Sequence, residues 1–460
     1  MSVAFSQEDI QRLAAESQFY KRANSKLNGQ IFLELIVFHA QALKQQTLVD
    51  LALLAEDDYG VEITKQALHD RFNSCAVRFL TLALQRLLQT QIKGESLLKE
   101  ITGFNRILIK DSTCFGVDKS LHELYPVSGH EDDTKATVRI QFEYDILRGT
   151  INDLSIHAFR DQDNQDWQTT NAYIQEGDLV IRDLGYMHLE SIKDLIESCN
   201  ANVLCRLDTR TDAYIKNNKE EMVKLNFSEE HKKMRELGLS TREFNVFIGV
   251  KVQLPMRMVI FDLPDDVASA RIRKVRKERK RNGSKTIKEE TLVRARITIM
   301  ITNIAAVRLS QKEIYSLYSI RWQVELIFKS WKSILKIDKM KKVKRDRFEC
   351  FLIAKLLQIV MIWQFFWCMH KWWFSCRTKC LSLFKASKLL MNNLSIVRNV
   401  HLCKGAQRLI ALRKLLNKAT RHCMLEIKKG DKNMISIIEQ ALNLGPATET
   451  KCIPNNFNRL

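Results

Sequence analysis

Three carboxylates in this sequence have the setting that phosphoryl-transfer chemistry requires. Asp111 and Asp183 each close a short apolar run of the kind found in buried strands, and Glu325 lies much later, in a segment with several basic and aromatic residues. Hard divalent cations prefer oxygen ligands, and two such ions about 3.5–4 Å apart can stabilise both the attacking and the leaving oxygen. These three acids are therefore candidate ligands for two Mg²⁺ ions.

The segment around Glu325 predicts a helix with one polar stripe. The stripe has four members: Tyr318, Arg321, Glu325 and Lys332. At ~100° per residue they fall within ~60° of one another around the axis. Lys332 would lie ~10 Å beyond Glu325, so the two would follow a phosphate backbone instead of gripping one phosphate. An exposed, salt-bridged helix face is the alternative, since Arg321 and Glu325 form an i, i+4 pair.

The strands that would carry the first two acids belong to an α/β pattern. Its predicted elements are, in order, a strand from 106 that ends on Asp111, a hairpin of strands at 137–144 and 150–156 turning at Arg148-Gly149, a strand from 178 that ends on Asp183, a helix at 188–199 and a strand at 202–207. This is the order of a ribonuclease-H-like core. Residues 209–310 are mostly β-like with charged interruptions, and the pattern is helical from 312 to about 444.

The first hundred residues predict helices, with a helix-turn-helix pattern near Gly60. Gly60 suits the turn, and Thr64 is a good N-cap for a second helix. Lys65, Gln66 and His69 would then point outward toward a DNA groove. Plain antiparallel packing of two helices explains the same pattern. The packing residues would be Ala52, Leu53, Ile63, Ala67 and Leu68.

The charge distribution points to an anionic partner. The chain carries 73 Lys and Arg against 53 Asp and Glu, and residues 329–460 alone hold 27 basic and 7 acidic residues. A second cluster, Arg271–Arg281, has eight basic residues and one Glu. Nucleic acid is the first expected partner and an acidic membrane surface the second. A solvated helix face without a partner is the simpler explanation of the same charge.

The apolar run at 356–369 is shorter than the ~20 residues of a spanning helix, so it predicts a buried core helix and no membrane span.

The remaining composition excludes several classes of protein. The 15 Gly and 5 Pro exclude a collagen-like or linker-dominated chain. The 11 Cys form no CxxC pair, which predicts reduced thiols instead of a disulfide framework, and their spacing with His makes a zinc protein the least favoured class. The N-terminus lacks the basic-then-apolar run of a signal peptide.

The pattern Tyr-x2-Arg-x3-Glu-x6-Lys, complete in this sequence, resembles the signature of bacterial insertion-sequence DDE transposases of the insertion-sequence-four family. Asp111 in Lys-Asp-Ser-Thr and Asp183 in Asp-x-Gly-Tyr fit the same family. The resemblance implies that Asp111, Asp183 and Glu325 are a catalytic triad binding two Mg²⁺, or Mn²⁺. It also implies that Tyr318, Arg321 and Lys332 hold phosphates of the element's terminal strand.

The resemblance further implies an activity, partners and a fold. Water would free a 3′-OH at the element end, and that 3′-OH would attack target DNA. The partners would be DNA, as inverted-repeat ends and target, and a second copy of the chain in a homodimeric active complex, in the bacterial cytoplasm at the nucleoid. The expected fold is multidomain α/β: a helical end-binding domain at 1–100, a ribonuclease-H-like core at 101–208, a β-rich insertion at 209–310, a core helix with the third acid at 311–345, and a basic helical C-terminal region at 346–460.

One departure from the family concerns tryptophan. Relatives use a Trp in the insertion to stack on a flipped base during hairpin formation, whereas none of the seven Trp here lies between 184 and 317. Either another aromatic residue takes its place, with Phe244, Phe247, Phe261 and Tyr315 as the candidates, or the hairpin step differs, so the sequence does not decide whether a hairpin forms. We also expect the apolar stretch with Trp363, Trp367, Trp372 and Trp373 either to mediate pairing of two chains or to pack on the core.

Two other functions agree with much of this pattern. A DNA-binding protein without catalysis, derived from such an element, would need no set of three unpaired acids. A metal-dependent nuclease of the same fold would cut DNA without preference for element ends and without strand joining.

Overall fold

A computed structural model of the protein describes residues 6–19, 26–91, 103–127, 135–161, 167–186, 188–208, 210–281, 287–377, 380–403 and 405–426. The helices are α1 (Gln7–Glu16), α2 (Gly29–Phe38), α3 (Leu48–Tyr59), α4 (Lys65–Arg71), α5 (Ser74–Gln89), α6 (Trp167–Asn171), α7 (Leu189–Glu197), α8 (Phe227–Glu236), α9 (Asp265–Arg281), α10 (Glu289–Arg296), α11 (Gln311–Ser319), α12 (Trp322–Ser333), α13 (Arg345–Arg377), α14 (Leu383–Met391), α15 (Leu394–Leu402) and α16 (Gly405–His422). The strands are β1 (Ile107–Val117), β2 (Ala136–Asp145), β3 (Ile151–Ala158), β4 (Leu179–Arg182), β5 (Asn202–Leu207), β6 (Ala213–Lys216), β7 (Met222–Lys224), β8 (Thr241–Ile248), β9 (Leu254–Asp262) and β10 (Ile297–Thr302).

One large mixed sheet organises the molecule, which makes it an α/β protein. Its strand order is β3-β2-β1-β4-β5-β10-β9-β8-β6-β7. β1, β4 and β5 run parallel, while β2 and β3 form an antiparallel hairpin against β1. Successive residues of β1 face opposite cores: Ile107 and Ile109 pack in one, and Leu108 packs in the other.

The strands of residues 209–310 continue this same sheet. β10 pairs antiparallel with β5, and β9, β8, β6 and β7 follow outward. Three helices, α8, α9 and α10, lie between these strands in the chain. The region predicted to be β-rich thus contains five strands, and in the described residues it also contains these three helices and continues the first sheet.

Among the N-terminal helices, α3 and α4 are joined as the helix-turn-helix pattern predicted. Gly60 ends α3 with a φ of 64°, and Thr64 caps α4 by accepting from Ala67 N. The predicted packing is only partly right, because Leu53 is 53% exposed and Ala67 is exposed as well. Helix α4 has 7 residues, barely two turns.

Helix α13 is the longest helix described and lies inside the protein. It is long and apolar enough to cross a membrane, but 94% of its most apolar window is buried within the fold. Gln358 donates to Val37 O of α2 at 2.9 Å, and Trp363 donates to Gly149 O in the β2–β3 turn at 2.7 Å. The prediction of a buried core helix is confirmed by this burial, although the helix, at 33 residues, is much longer than the apolar run suggested.

The aromatic residues of α13 pack on the core. Trp363, Trp367 and Trp373 are each at most 6% exposed, and Trp363 meets Phe142 and Tyr144 of β2 edge-on. Of the two roles expected for this stretch, packing is therefore what the structure shows, and pairing of chains is not needed to cover it. The predicted helical pattern continues to 422 in α16, and its last part, from 427, lies outside the described residues.

Candidate active site

The first two acids are brought together by the parallel pairing of β1 and β4. Ile109 and Ile181 are register partners, so Asp111 and Asp183, each two residues further on, lie at the same edge of neighbouring strands. Asp183 directly follows β4, as predicted. Asp111 does not end its strand, because β1 continues to Val117. The strand runs on because the antiparallel pairing with β2 extends past the end of β4.

The third acid is carried by a helix that the sequence predicted as one continuous rod. The structure instead has two helices, α11 and α12, that meet in a tight turn at Ile320 and Arg321. Within the turn the Val324 amide donates to Arg321 O, a three-residue step. This break places Arg321 at the corner and Glu325 in the first turn of α12.

Arg321 lies at the centre of the site, where its guanidinium faces all three acids. Nη1 donates to Asp111 Oδ2 at 3.0 Å and lies 3.9 Å from Asp183 Oδ2. Nη2 donates to Glu325 Oε1 at 3.3 Å. Three carboxylates from two strands and a helix thus converge on one cation.

The other two residues of the stripe also turn inward. The Tyr318 hydroxyl donates to Asp183 Oδ1 at 2.9 Å, and Lys332 Nζ donates to Cys114 O of β1 at 3.0 Å. Tyr318 is 7% exposed. The structure therefore brings the stripe of Tyr318, Arg321, Glu325 and Lys332 to the strands of the other two acids, whereas an exposed helix face would leave it in solvent.

The electrostatics of the site follow from this partial burial. Burial raises the pKa of Asp111 to about 6, although the Ser112 amide and Arg321 act in the opposite direction. Burial and then the charge of Asp183 raise the pKa of Tyr318, so this phenol stays protonated and remains a donor. Burial by itself would lower the pKa of Arg321, but the surrounding acids outweigh it, and the pKa is raised.

The side chain of Arg321 is less exposed to solvent than those of the three acids around it. The side chain of Arg321 is 8% exposed, and those of Asp111, Asp183 and Glu325 are 21%, 34% and 46% exposed. The arginine is therefore at the base of the site and the carboxylates are open to solvent on its outer side.

The donor set suits Mg²⁺ in kind, since it offers only carboxylate oxygens at a solvent-accessible edge. Among the described residues, however, no three acidic, His or Cys side chains stand close enough together for one metal ion. The Arg321 guanidinium lies between them, within 4 Å of one oxygen of each acid. The site therefore fits divalent cations by its chemistry, while the present positions of the acids fit Arg321.

Two features near the acids were not singled out from the sequence. Trp322 is 57% exposed, and the Arg321 guanidinium lies 5.3 Å from its ring centroid. Its position four residues after Tyr318, beside the polar stripe, was the available signal. An exposed aromatic ring next to the acids provides a flat surface for a nucleobase.

The second feature is a buried ion pair beneath the acids. Arg182 Nη2 donates to Glu143 Oε1 at 2.9 Å, and the Tyr173 hydroxyl donates to Glu143 Oε2 at 2.9 Å. Glu143 is fully buried. Because Arg182 immediately precedes Asp183, this pair ties the end of β4 to β2. The sequence signal was weak: a charged residue in each of two apolar strands.

The three residues predicted to face DNA from the N-terminal helices are not equivalent. Lys65 and Gln66 are exposed, and Gln66 donates to Asp70 at 2.9 Å. His69 is half-buried, and its Nδ1 lies 2.6 Å from Arg347 Nη2 of α13. The outward orientation predicted for His69 is therefore wrong in this structure, because the ring is turned toward the core helix.

The basic cluster Arg271–Arg281 forms most of α9. Only Ala268 of this helix is buried, and of its eight basic residues in the cluster only Arg271 is half-buried, where it donates to Thr298 Oγ1 at 3.1 Å. The helix therefore presents a dense positive charge to solvent.

The amino-acid sequence and the structure were compared with known proteins, and both are similar to transposases. The family model described as "Transposase DDE domain" matches residues 102–361. The transposase for insertion sequence element IS231F of Bacillus thuringiensis subsp. israelensis is 28% identical over 403 residues, 85% of this chain and 84% of the relative. The transposase for insertion sequence element IS1151 of Clostridium perfringens is 30% identical over 375 residues, 78% of each. A structure of the piggyBac transposase synaptic complex with hairpin DNA covers 95% of this chain and 85% of its own, at 11% identity and a TM-score of 0.45.

Proposed function

Because this chain belongs to the family of insertion-sequence DDE transposases, we propose that it catalyses cut-and-paste transposition of the element that encodes it. Water would cleave the element end to leave a 3′-OH, and that hydroxyl would then attack target DNA in an in-line displacement. The proposal agrees with the insertion-sequence-four family that the Tyr-Arg-Glu-Lys stripe predicted.

The observation that carries this proposal is the convergence of Asp111, Asp183 and Glu325 on one guanidinium. DNA binding alone gives no reason to gather three carboxylates, since they repel a phosphate backbone. A metal-dependent phosphoryl transferase needs such a set. This is why we favour an enzyme over a DNA-binding protein without catalysis.

In the proposed mechanism the three acids would hold two Mg²⁺ ions, or Mn²⁺ in their place. When bound, the ions would supply Lewis-acid activation of the attacking oxygen and neutralisation of the leaving oxygen. Tyr318 holds the Asp183 carboxylate in place through its hydroxyl. Lys332 and Arg321 would contact phosphates of the terminal strand, and Lys332 would have to leave Cys114 O to do so.

The proposed fold is a ribonuclease-H-like core with an insertion. Support comes from the strand order β3-β2-β1-β4-β5, with β1, β4 and β5 parallel. Strands β6–β10 with α8–α10 would be the insertion, and α11 and α12 would return the chain to the core. In this proposal residues 1–100 bind element ends, and residues 346–460 are the basic C-terminal region.

The proposed partners are the element's inverted-repeat ends, target DNA and, in the active complex, a second copy of the chain. Lys65 and Gln66 are proposed as contacts to an element end, and His69 is the weaker candidate because of its contact with Arg347. Substrate of this kind would place the protein in the bacterial cytoplasm at the nucleoid. The exposed helix α9 supplies a further DNA-binding surface.

The test uses the inverted repeats that flank the coding region. A duplex carrying one element end joined to host sequence is incubated with the protein and Mg²⁺, beside Asp183→Asn, Glu325→Gln and the control Glu197→Gln, which alters an exposed acid on α7. We expect the wild type and the control to cut at the element boundary and to join the 3′-OH to a second duplex, and the two site variants to lose both steps.

Two results would contradict the proposal. Binding to the end without cutting in Mg²⁺ or Mn²⁺ would favour a DNA-binding protein. Cutting without preference for the boundary and without joining would favour a nuclease of the same fold.

A further inference from the structure

The Arg321 guanidinium stands among the acids that are proposed to bind metal ions, and its nitrogens lie between 3.0 and 3.9 Å from one oxygen of each acid. A divalent ion bound by the same three carboxylates would lie next to this positive charge. Like charges at such distances repel strongly in a partly buried site.

We propose that Arg321 is a built-in counter-cation, which holds Asp111, Asp183 and Glu325 together before metal binds and competes with divalent ions for them. The inference rests on the proposed function, because it takes the three acids to be the metal ligands. It adds that metal loading requires the guanidinium to give up its contacts with the acids.

The charge balance of the cluster supports this role. Three carboxylates surround one guanidinium, and the nearest other cation of the stripe, Lys332, is bound to the Cys114 carbonyl instead. Carboxylates crowded in a partly buried site repel one another unless a cation lies between them. Arg321 therefore stabilises the metal-free arrangement but leaves an excess of negative charge that attracts a divalent ion.

The arginine is also incompletely bonded where it stands. Its Nε is buried and has no hydrogen-bond partner among the described residues. A buried donor without an acceptor costs free energy, so the present position is a compromise imposed by the acids and is open to competition.

The structure offers the guanidinium a direction in which to move. Trp322 lies beside it, with the ring centroid 5.3 Å from Arg321 Cζ, and this ring is 57% exposed. A guanidinium that slides over an aromatic face keeps a favourable contact. From there it could reach a phosphate outside the acid cluster while leaving the acids to the metal ions.

The experiment measures Mn²⁺ binding to the full chain without DNA. Protein stripped with chelator is titrated with Mn²⁺, and free Mn²⁺ is followed by electron paramagnetic resonance. The proteins are the wild type, Arg321→Gln, Arg321→Lys and Asp183→Asn. The control is Arg12→Gln, which removes an exposed arginine of α1.

We expect Arg321→Gln to bind Mn²⁺ on the order of tenfold more tightly than the wild type, because the competing charge is gone. Arg321→Lys keeps the positive charge but loses the two guanidinium nitrogens that contact the acids, so its Mn²⁺ affinity should lie between those of the wild type and Arg321→Gln. The control should match the wild type, and Asp183→Asn should bind more weakly. In chelator, the melting temperature of Arg321→Gln should fall below that of the wild type. Adding Mn²⁺ should raise the melting temperature of Arg321→Gln by more than it raises that of the wild type.

Equal or weaker Mn²⁺ binding by Arg321→Gln would overturn the inference. If Arg321→Gln does not fold in chelator, Mn²⁺ is added to it. Recovery of the fold then supports the inference, and failure to recover contradicts it. Arg321→Lys gives a second comparison of Mn²⁺ affinity. Failure of this inference can be told apart from failure of the proposed function. If the wild type cuts element ends but Arg321→Gln has unchanged Mn²⁺ affinity, only the counter-cation role is refuted. Absence of both cutting and Mn²⁺ binding would refute both.

Discussion

The hydroxyl of Tyr318 donates to Oδ1 of Asp183 across the gap between helix α11 and strand β4, at 2.9 Å. The phenol is largely buried and its raised pKa keeps the proton in place. Tyr318 can therefore hold one oxygen of Asp183 in a fixed orientation and leave Oδ2 on the side of Arg321.

Replacing Tyr318 by Phe tests this orienting role. A hydrogen bond to a charged group contributes about 1.5–3 kcal/mol, so we expect end cleavage by Tyr318→Phe to slow by roughly one to two orders of magnitude. Single-turnover cleavage measures the effect. The matched control is Tyr315→Phe, whose side chain is 46% exposed. Equal cleavage rates for Tyr318→Phe and the wild type would show that the hydrogen bond does not orient the acid.

The raised pKa of Asp111, about 6 through burial, predicts a pH dependence of stability without metal. Between the ordinary pKa of 3.8 and about 6, the folded protein retains a proton that the unfolded chain has released. This contribution to stability is fully present below pH 3.8 and is lost as the pH rises through 6. Asp111→Asn cannot titrate and should not show the loss.

Thermal unfolding in chelator measures this difference. We expect the melting temperature of Asp111→Asn to rise relative to that of the wild type as the pH goes from about 4 to about 7. Parallel curves for the two proteins would contradict the assignment to Asp111. Cleavage by the wild type in Mg²⁺ should increase over the same range, because the ionised carboxylate is the form that binds cations.

Gly149 gives a prediction about the fold. Its φ is +69°, and a Cβ built there would lie 2.0 Å from Trp367 Cδ2 of α13. Gly60 has a similar φ of +64° and nothing within 4 Å of its Cβ position. Gly60→Ala should therefore cost about 1–2 kcal/mol for the left-handed backbone alone, and Gly149→Ala should cost more. Urea unfolding of both variants measures the loss in the free energy of unfolding. Equal losses would mean that the turn at Gly149 is not tightly packed against α13.

Helix α9 predicts a change in the salt dependence of DNA binding. Arg276 and Lys280 lie one turn apart on it and are exposed. If both contact phosphates, Arg276→Gln with Lys280→Gln should reduce the slope of log affinity against log salt by about 2. The control is Lys193→Gln with Lys232→Gln, a pair of exposed lysines on α7 and α8. An unchanged slope for the α9 variant would remove this helix from the DNA-binding surface.

The sequence predicted the parts of the fold that depend on local pattern. Apolar alternation located β2 and β3 on either side of Gly149, and the apolar run before Asp183 located β4. Parallel pairing of the strands then placed Asp111 and Asp183 together, which needed only the order of elements. The extension of β1 beyond Asp111 escaped prediction because it depends on β2 as a partner.

Features set by tertiary contacts could not be read in this way. The turn at Ile320 and Arg321 occurs in a sequence with good helical periodicity, and the contacts of Arg321 with acids on two other elements accompany it. The inward position of His69 depends on Arg347, 278 residues away. Neither contact leaves a signal in the residues next to it.

The ten strands of the sheet form one uninterrupted hydrogen-bonded lattice, from the hairpin at β3 to the edge at β7. β10 joins β5, which is the immediate neighbour of the strand that precedes Asp183. Strands β9 and β10, which lie on either side of α9 in the chain, are therefore hydrogen-bonded into the same sheet as the strands next to Asp111 and Asp183. Any movement of one end of this sheet relative to the other would therefore have to bend the sheet or break backbone hydrogen bonds between neighbouring strands.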